Sequence, residues 1–99
     1  MTDAFAVEVV DDVIRVSGDL DAQTSSQLDD VITSQLERGF DEIILDLSEL
    51  EFVDSSGLRS MVLARGPQGE GRVVLRSPSA SVVRLLDITG LTDVFVIEP

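Results

Sequence analysis

Cysteine, histidine and lysine are missing from this sequence. Without cysteine there is neither a disulfide nor a thiolate metal site, and the redox compartment is unreadable. Without histidine or lysine, a nucleophilic serine has no customary base. Val53-Asp54-Ser55-Ser56-Gly57 also fails to match the G-x-S-x-G elbow. A phosphate loop of the GxxxxGK[ST] type lacks its lysine. So does a receiver-type phosphoacceptor aspartate, although Asp11, Asp12 and Asp46 superficially suggest one. A calcium loop beginning at Asp19 has Thr24 where a glycine is required. These absences argue against an enzyme and leave no cofactor or metal motif. Positive charge is scarce too: seven arginines stand against 19 acids, a net charge of −12. Nucleic acid binding needs basic phosphate contacts, which excludes it as a function. No apolar run approaches the roughly 20 residues of a membrane span. The opening MTDAFAVEVVDD carries acids where a signal peptide carries bases. The expectation is a soluble, cytoplasmic protein with no membrane insertion, and a monomer by default.

What is present suits one small domain, residues 1–99. The hydrophobic share is 43%, and a chain of this length buries roughly 65% of its unfolded surface. Charge is lopsided. Residues 1–56 hold 15 of the acids against Arg15 and Arg38 alone, whereas residues 57–99 are close to neutral. Solubility accounts for most of these acids; a basic protein partner meeting the N-terminal half is the sharper reading.

Phe5 to Val10 and Val13 to Ser17 are β-rich and flank Asp11-Asp12, a hairpin signal. Leu28, Val31, Ile32 and Leu36 fall at helical spacing. Thr24 with Gln27 predicts a capping box, Asp21 is a rival cap, and Gly39 suits the stop. Glu42 to Leu47 reads as a central strand. Leu58, Met61, Val62 and Arg65 mark a second helix, stopped by Gly66-Pro67. Arg72 to Arg76 is a fourth strand. Ser77-Pro78 predicts the start of a third helix, with Val82, Leu85, Leu86 and Ile88 on its apolar face and Gly90-Leu91 at its end. Asp93 to Ile97 is the last strand. The order is β-β-α-β-α-β-α-β, an α/β fold with a largely parallel sheet.

Ligands of parallel sheets gather at the carboxyl ends of the strands. Gly18 to Asp21, Asp46 to Ser48 and the helix starting near Asp54 are expected there. Asp54 or Ser55 serves as a helix cap. With Asp54 as cap, Ser56 lies in the first turn near solvent. A phosphate on it would face free backbone N–H groups, and Arg59 is on the same face three residues on. Ser56 then reads as a substrate for a kinase, and no catalytic base is needed.

GDLDAQTSSQL, IILDLSELEFVDSSGLRSMV and SPSASVVRLLDITGLTDVFVI together resemble the bacterial anti-sigma factor antagonists of the STAS domain family. The likeness spans essentially the whole chain; DLSxLxFVDSSGL is its most specific part. The resemblance implies a STAS-like fold. It also implies that Ser56, the second serine of DSSG, is phosphorylated by a partner that is both serine-protein kinase and anti-sigma factor. Asp54, Ser55, Gly57, Leu58 and Arg59 then surround the phosphosite or meet the partner. Asp19 and Asp21 match the family's acidic loop, which the resemblance places beside Ser56. The implied mechanism is partner switching: the unphosphorylated protein binds the anti-sigma factor and frees the sigma factor, phosphorylation releases it, and a phosphatase resets it. Two departures stand out. The stretch after Met61 is short for the family, and the chain ends at Pro99 where many relatives carry another helix. The alternative is a STAS subunit of a membrane- or lipid-transport complex, or of a signalling scaffold.

Overall fold

In the computed structural model, which describes residues 5–99, a five-stranded sheet has the order β1-β2-β3-β4-β5. The strands are β1 (Ala6–Val10), β2 (Val13–Leu20), β3 (Glu42–Val53), β4 (Arg72–Arg76) and β5 (Val96–Glu98). β1 pairs antiparallel with β2, and all other pairs are parallel. The helices are α1 (Ser25–Glu37), α2 (Ser55–Leu63) and α3 (Ala80–Thr89). This is the expected order and the expected mostly parallel sheet. Asp11 and Asp12 make the β1–β2 turn with φ of 51° and 66°, left-handed values that Asp tolerates better than most residues and that suit a two-residue hairpin.

Ile14, Val16 and Leu20 of β2, Leu45 and Leu47 of β3, and Val73 and Leu75 of β4 form one buried cluster with Leu28, Ile32, Leu58, Met61, Val82 and Leu86 from the three helices. All three helices therefore pack on one face of the sheet. The alternate strand positions point to the other face. There Glu8, Arg15, Asp46, Arg76 and Glu98 stand in one register, one per strand, with alternating charge. Arg15 meets Glu8 at 3.6 Å and Asp46 at 3.9 Å, and Arg76 meets Glu98 at 3.2 Å. The Ser48 amide, donating to Asp46 Oδ1 at 3.0 Å, holds the Asp46 carboxyl below its ordinary range. Partial burial opposes this, while the Ser48 hydroxyl, Arg15 and Arg76 add to it.

Several boundaries differ from the sequence expectations. β2 runs past Ser17 to Leu20, and β3 runs past Leu47 to Val53. Asp46 is thus mid-strand, not at a carboxyl end. The pairing of β2 with β3 slips twice, between Arg15 and Ser17 and between Gly18 and Asp19. Each slip leaves an extra residue in β3, as in a bulge, so the buried positions Leu47, Leu50 and Val53 recur every third residue instead of every second. The Thr24–Gln27 capping box does not form. Thr24 holds the N-cap position but makes no side-chain cap bond to the helix, and its amide donates to Asp21 Oδ1 at 3.2 Å, so Asp21 shapes the turn before α1 and does not cap the helix itself. α2 stops at Leu63 and leaves Arg65 in the following turn. α3 starts after Ser79, whose hydroxyl accepts from the Val82 amide at 3.3 Å. Ser77 is not its cap, because the Ser77 amide donates to the Glu98 carbonyl at 2.9 Å and belongs to the sheet. Ile88 is 74% exposed; two residues from Leu86, it lies nearly opposite it around the helix. Residues 92–94 form a 3-10 turn, so β5 begins only at Val96.

Candidate functional site

The two β3 bulges bring the ends of β2 and β3 level. Leu20 pairs with Val53, and the Asp54 amide donates to the Leu20 carbonyl at 3.1 Å. The loop after β2 and the start of α2 therefore sit side by side. This unites Asp19, Asp21 and Asp54 to Arg59 at one edge of the sheet, and leaves Asp46 outside it.

Asp54 is the N-cap of α2, with extended backbone and a side chain that accepts from the Gly57 amide at 3.1 Å. Ser55 and Ser56 are the first two helical residues; Ser55 is exposed and Ser56 half-buried. Gly57 has no room for a side chain. A Cβ there would lie 2.6 Å from Val53 Cγ2 and 2.8 Å from Leu20 Cγ. The helix start thus rests directly on the strand ends. Leu58 is 5% exposed and anchors the first turn in the core, so Gly57 and Leu58 support the serines from beneath. Arg59 is exposed.

The two loop acids divide their work. Asp21 Oδ1 accepts from the Gln23 and Thr24 amides at 3.0 and 3.2 Å, and the Thr24 hydroxyl donates to the Asp19 carbonyl at 2.8 Å. The Asp21 carboxylate is committed to shaping the loop. The Asp19 side chain is exposed and takes no part in these bonds.

Ser56 and Arg59 also line a depression of about 300 Å³ between α1 and α2, with Ser25, Asp29, Ser60 and Leu63. None of these last four was singled out from sequence. Ser25 and Asp29 are one turn apart on α1, so their common face was legible; that this face meets α2 was not. Phe52, in register with Asp19, is a further unanticipated neighbour and is 52% exposed. Chemically, the edge offers a rigidly mounted hydroxyl, an acidic surround and one guanidinium. It can receive a group and present a surface. Among the described residues, no helix is long and apolar enough to cross a membrane.

Known proteins share this fold. A family model described as the STAS domain matches residues 4–99. The anti-sigma-B factor antagonist of Staphylococcus aureus is 32% identical over 82 residues, which covers 81% of this chain and 76% of that relative. The solved anti-sigma factor antagonist SpoIIAA, in its unphosphorylated form, has a TM-score of 0.73 at 30% identity, covering 97% of this chain and 89% of its own. The Bacillus cell fate determinant SpoIIAA in its phosphorylated form gives 0.66 at 30% identity, covering 97% and 92%. By sequence and by fold, this chain belongs to the STAS domain family, among the bacterial anti-sigma factor antagonists.

Proposed function

We propose that the chain antagonises an anti-sigma factor by partner switching, with Ser56 as the switch. Unphosphorylated, it binds an anti-sigma factor that is also a serine-protein kinase, and so frees a sigma factor. Phosphorylation of Ser56 by that partner dissociates the pair, and a phosphatase restores the binding form. The chain acts as ligand and substrate, not as catalyst, and works in the cytoplasm as a monomer. The observation that carries this reading is the mounting of Ser56: a half-buried hydroxyl on the first turn of α2, fixed by Asp54 and Gly57, at the edge that also carries Asp19. That the related SpoIIAA has been solved in both unphosphorylated and phosphorylated forms supports it.

The electrostatics suffice. Phosphate adds about −1.5 to −2 charges. A unit-charge clash at ~6 Å is worth roughly 2–3 kcal/mol at an effective dielectric near 20. A tenfold loss of affinity needs only about 1.4 kcal/mol, so one phosphate overturns an interface of moderate strength.

The test pairs two baits in native extract, wild type and Ser56→Glu, both first shown to fold by circular dichroism. Wild type is expected to retain an ATP-binding partner that Ser56→Glu loses. Purified partner with ATP should then add one phosphoryl group to wild type and none to Ser56→Ala, as read by intact mass. Retention of the same transport or scaffold proteins by both baits would overturn the switch in favour of a STAS subunit of such a complex.

A further inference from the structure

Arg59 stands one helical turn beyond Ser56, and the two side chains line the same depression between α1 and α2. Its guanidinium is uncommitted. The ion pairs among the described residues use Arg15, Arg72 and Arg76, and Arg38 lies over the Phe40 ring. Asp29 lines the opposite wall without pairing with Arg59. Among the described residues, the groove therefore holds one free cation, one free carboxylate and the Ser56 hydroxyl.

We infer that Arg59 captures the phosphate of phosphorylated Ser56 within the chain, drawing it into the α1–α2 groove. This deepens the switch above and rests on Ser56 being the modified residue. A phosphate dianion at residue 56 shares its groove with Asp29 from α1, and the Asp54 cap stands two residues before it. Both are acidic, and among the described residues Arg59 is the only cation lining the groove. A guanidinium presents paired N–H donors that match phosphate oxygens, and an arginine three residues away on a helix reaches them. The unmodified Ser56 hydroxyl offers no comparable charge to hold Arg59.

Capture changes the docking edge twice. Phosphorylation adds negative charge, and it also withdraws Arg59 from any acidic group that it meets on the partner. An interface that uses Arg59 thus loses an attraction in the same step that gains a repulsion.

The experiment installs phosphoserine at position 56 during translation, through an expanded genetic code, and follows the phosphate by 31P NMR across its second ionisation. A cation at hydrogen-bond range favours the dianion, so wild type should titrate below Arg59→Gln by about half a unit or more. Asp29→Asn should move the ionisation the opposite way, further down, because a like charge is removed. Circular dichroism establishes that each variant is folded. Equal titration of wild type and folded Arg59→Gln overturns the capture. No kinase enters the measurement, so the outcome is independent of the partner. A chain that captures its installed phosphate yet is never phosphorylated by its partner refutes the switch and not the clamp.

Discussion

Gly57→Ala sets two effects of opposite sign against each other. In a helix interior alanine is favoured over glycine by about 0.8–1.0 kcal/mol, so propensity alone predicts stabilisation. The packing predicts the reverse. The new Cβ would lie 2.6 Å from Val53 Cγ2, 2.8 Å from Leu20 Cγ and 2.9 Å from Leu20 Cδ2. Carbon atoms in good contact are roughly 3.5–4.0 Å apart, so the overlap is near 1 Å at three atoms. Leu20 is fully buried and Val53 nearly so, and Leu20 Cγ is a branch point that cannot swing aside. Overpacking of this kind costs about 1–3 kcal/mol. The expected net is a loss of up to about 2 kcal/mol, or a melting temperature lower by up to roughly 15 °C for a domain of this size. Urea unfolding followed by circular dichroism should show the same loss as a lower midpoint at unchanged slope. A second variant isolates the cause. In a Leu20→Ala background the obstruction is reduced, so adding Gly57→Ala should cost much less than it does in wild type. A melting temperature for Gly57→Ala raised by the full propensity gain would refute the view that direct contact with the strand ends positions Ser56.

The other stability predictions concern two carboxylates with different tasks. Asp54→Ala removes the cap on the Gly57 amide and should cost about 1 kcal/mol in urea unfolding, with Asp54→Asn recovering most of it; equal stability of all three proteins would contradict the cap. Asp46 has its pKa lowered in the folded state, so its contribution is present above the unfolded carboxylate value and is lost as pH falls through the lower folded value. Asp46→Asn should therefore flatten part of the stability decline on acidification, measured by urea midpoints from about pH 7 downward. The pair with Arg15 is long, 3.9 Å, and half-exposed on the arginine side, which limits its share at neutral pH to about 1 kcal/mol or less. An unchanged acid profile would show that the Ser48 amide, with Arg15 and Arg76 beside it, does not hold this carboxylate.

The element order and the Asp54 helix start were legible because they rest on local chemistry: hydrophobic period, an Asx cap, glycines at chain reversals. Gly39 and Gly90 do take positive φ, 94° and 75°, past the ends of α1 and α3. The illegible features depend on partners distant in sequence. Ser77-Pro78 has a good local helix-start signature, yet the Ser77 amide is drawn into the sheet by Glu98, some twenty residues on. SELEFV lacks strict alternation, and only the pairing with Ser17 to Leu20 of β2 turns it into a bulged strand. The α1–α2 groove was hidden for the same reason. Each of its walls is an ordinary polar helix face, and its composition emerges only when Ser25 and Asp29 meet Ser56 and Arg59.

That distinction also sorts the acids, the most abundant and least informative signal in the chain. Asp46, Asp21 and Asp54 look functional by position, yet each carboxylate is committed. Asp46 accepts from the Ser48 amide, Asp21 from two loop amides and Asp54 from the Gly57 amide. An acid already accepting backbone hydrogen bonds has less to offer a partner, and removing it disturbs the fold before it disturbs binding. Asp19 at the exposed edge and Asp29 in the groove have no such commitment. Asp19, with Phe52 as its exposed apolar neighbour in register, is therefore the acid that the edge leaves open to solvent. Asp29 lines the groove with Ser56 and Arg59, so under the proposed switch its charge bears directly on a phosphate at Ser56. Of the committed acids Asp54 fixes the start of α2 and Asp21 the loop beside it, whereas Asp19 and Asp29 keep their carboxylates free of backbone hydrogen bonds.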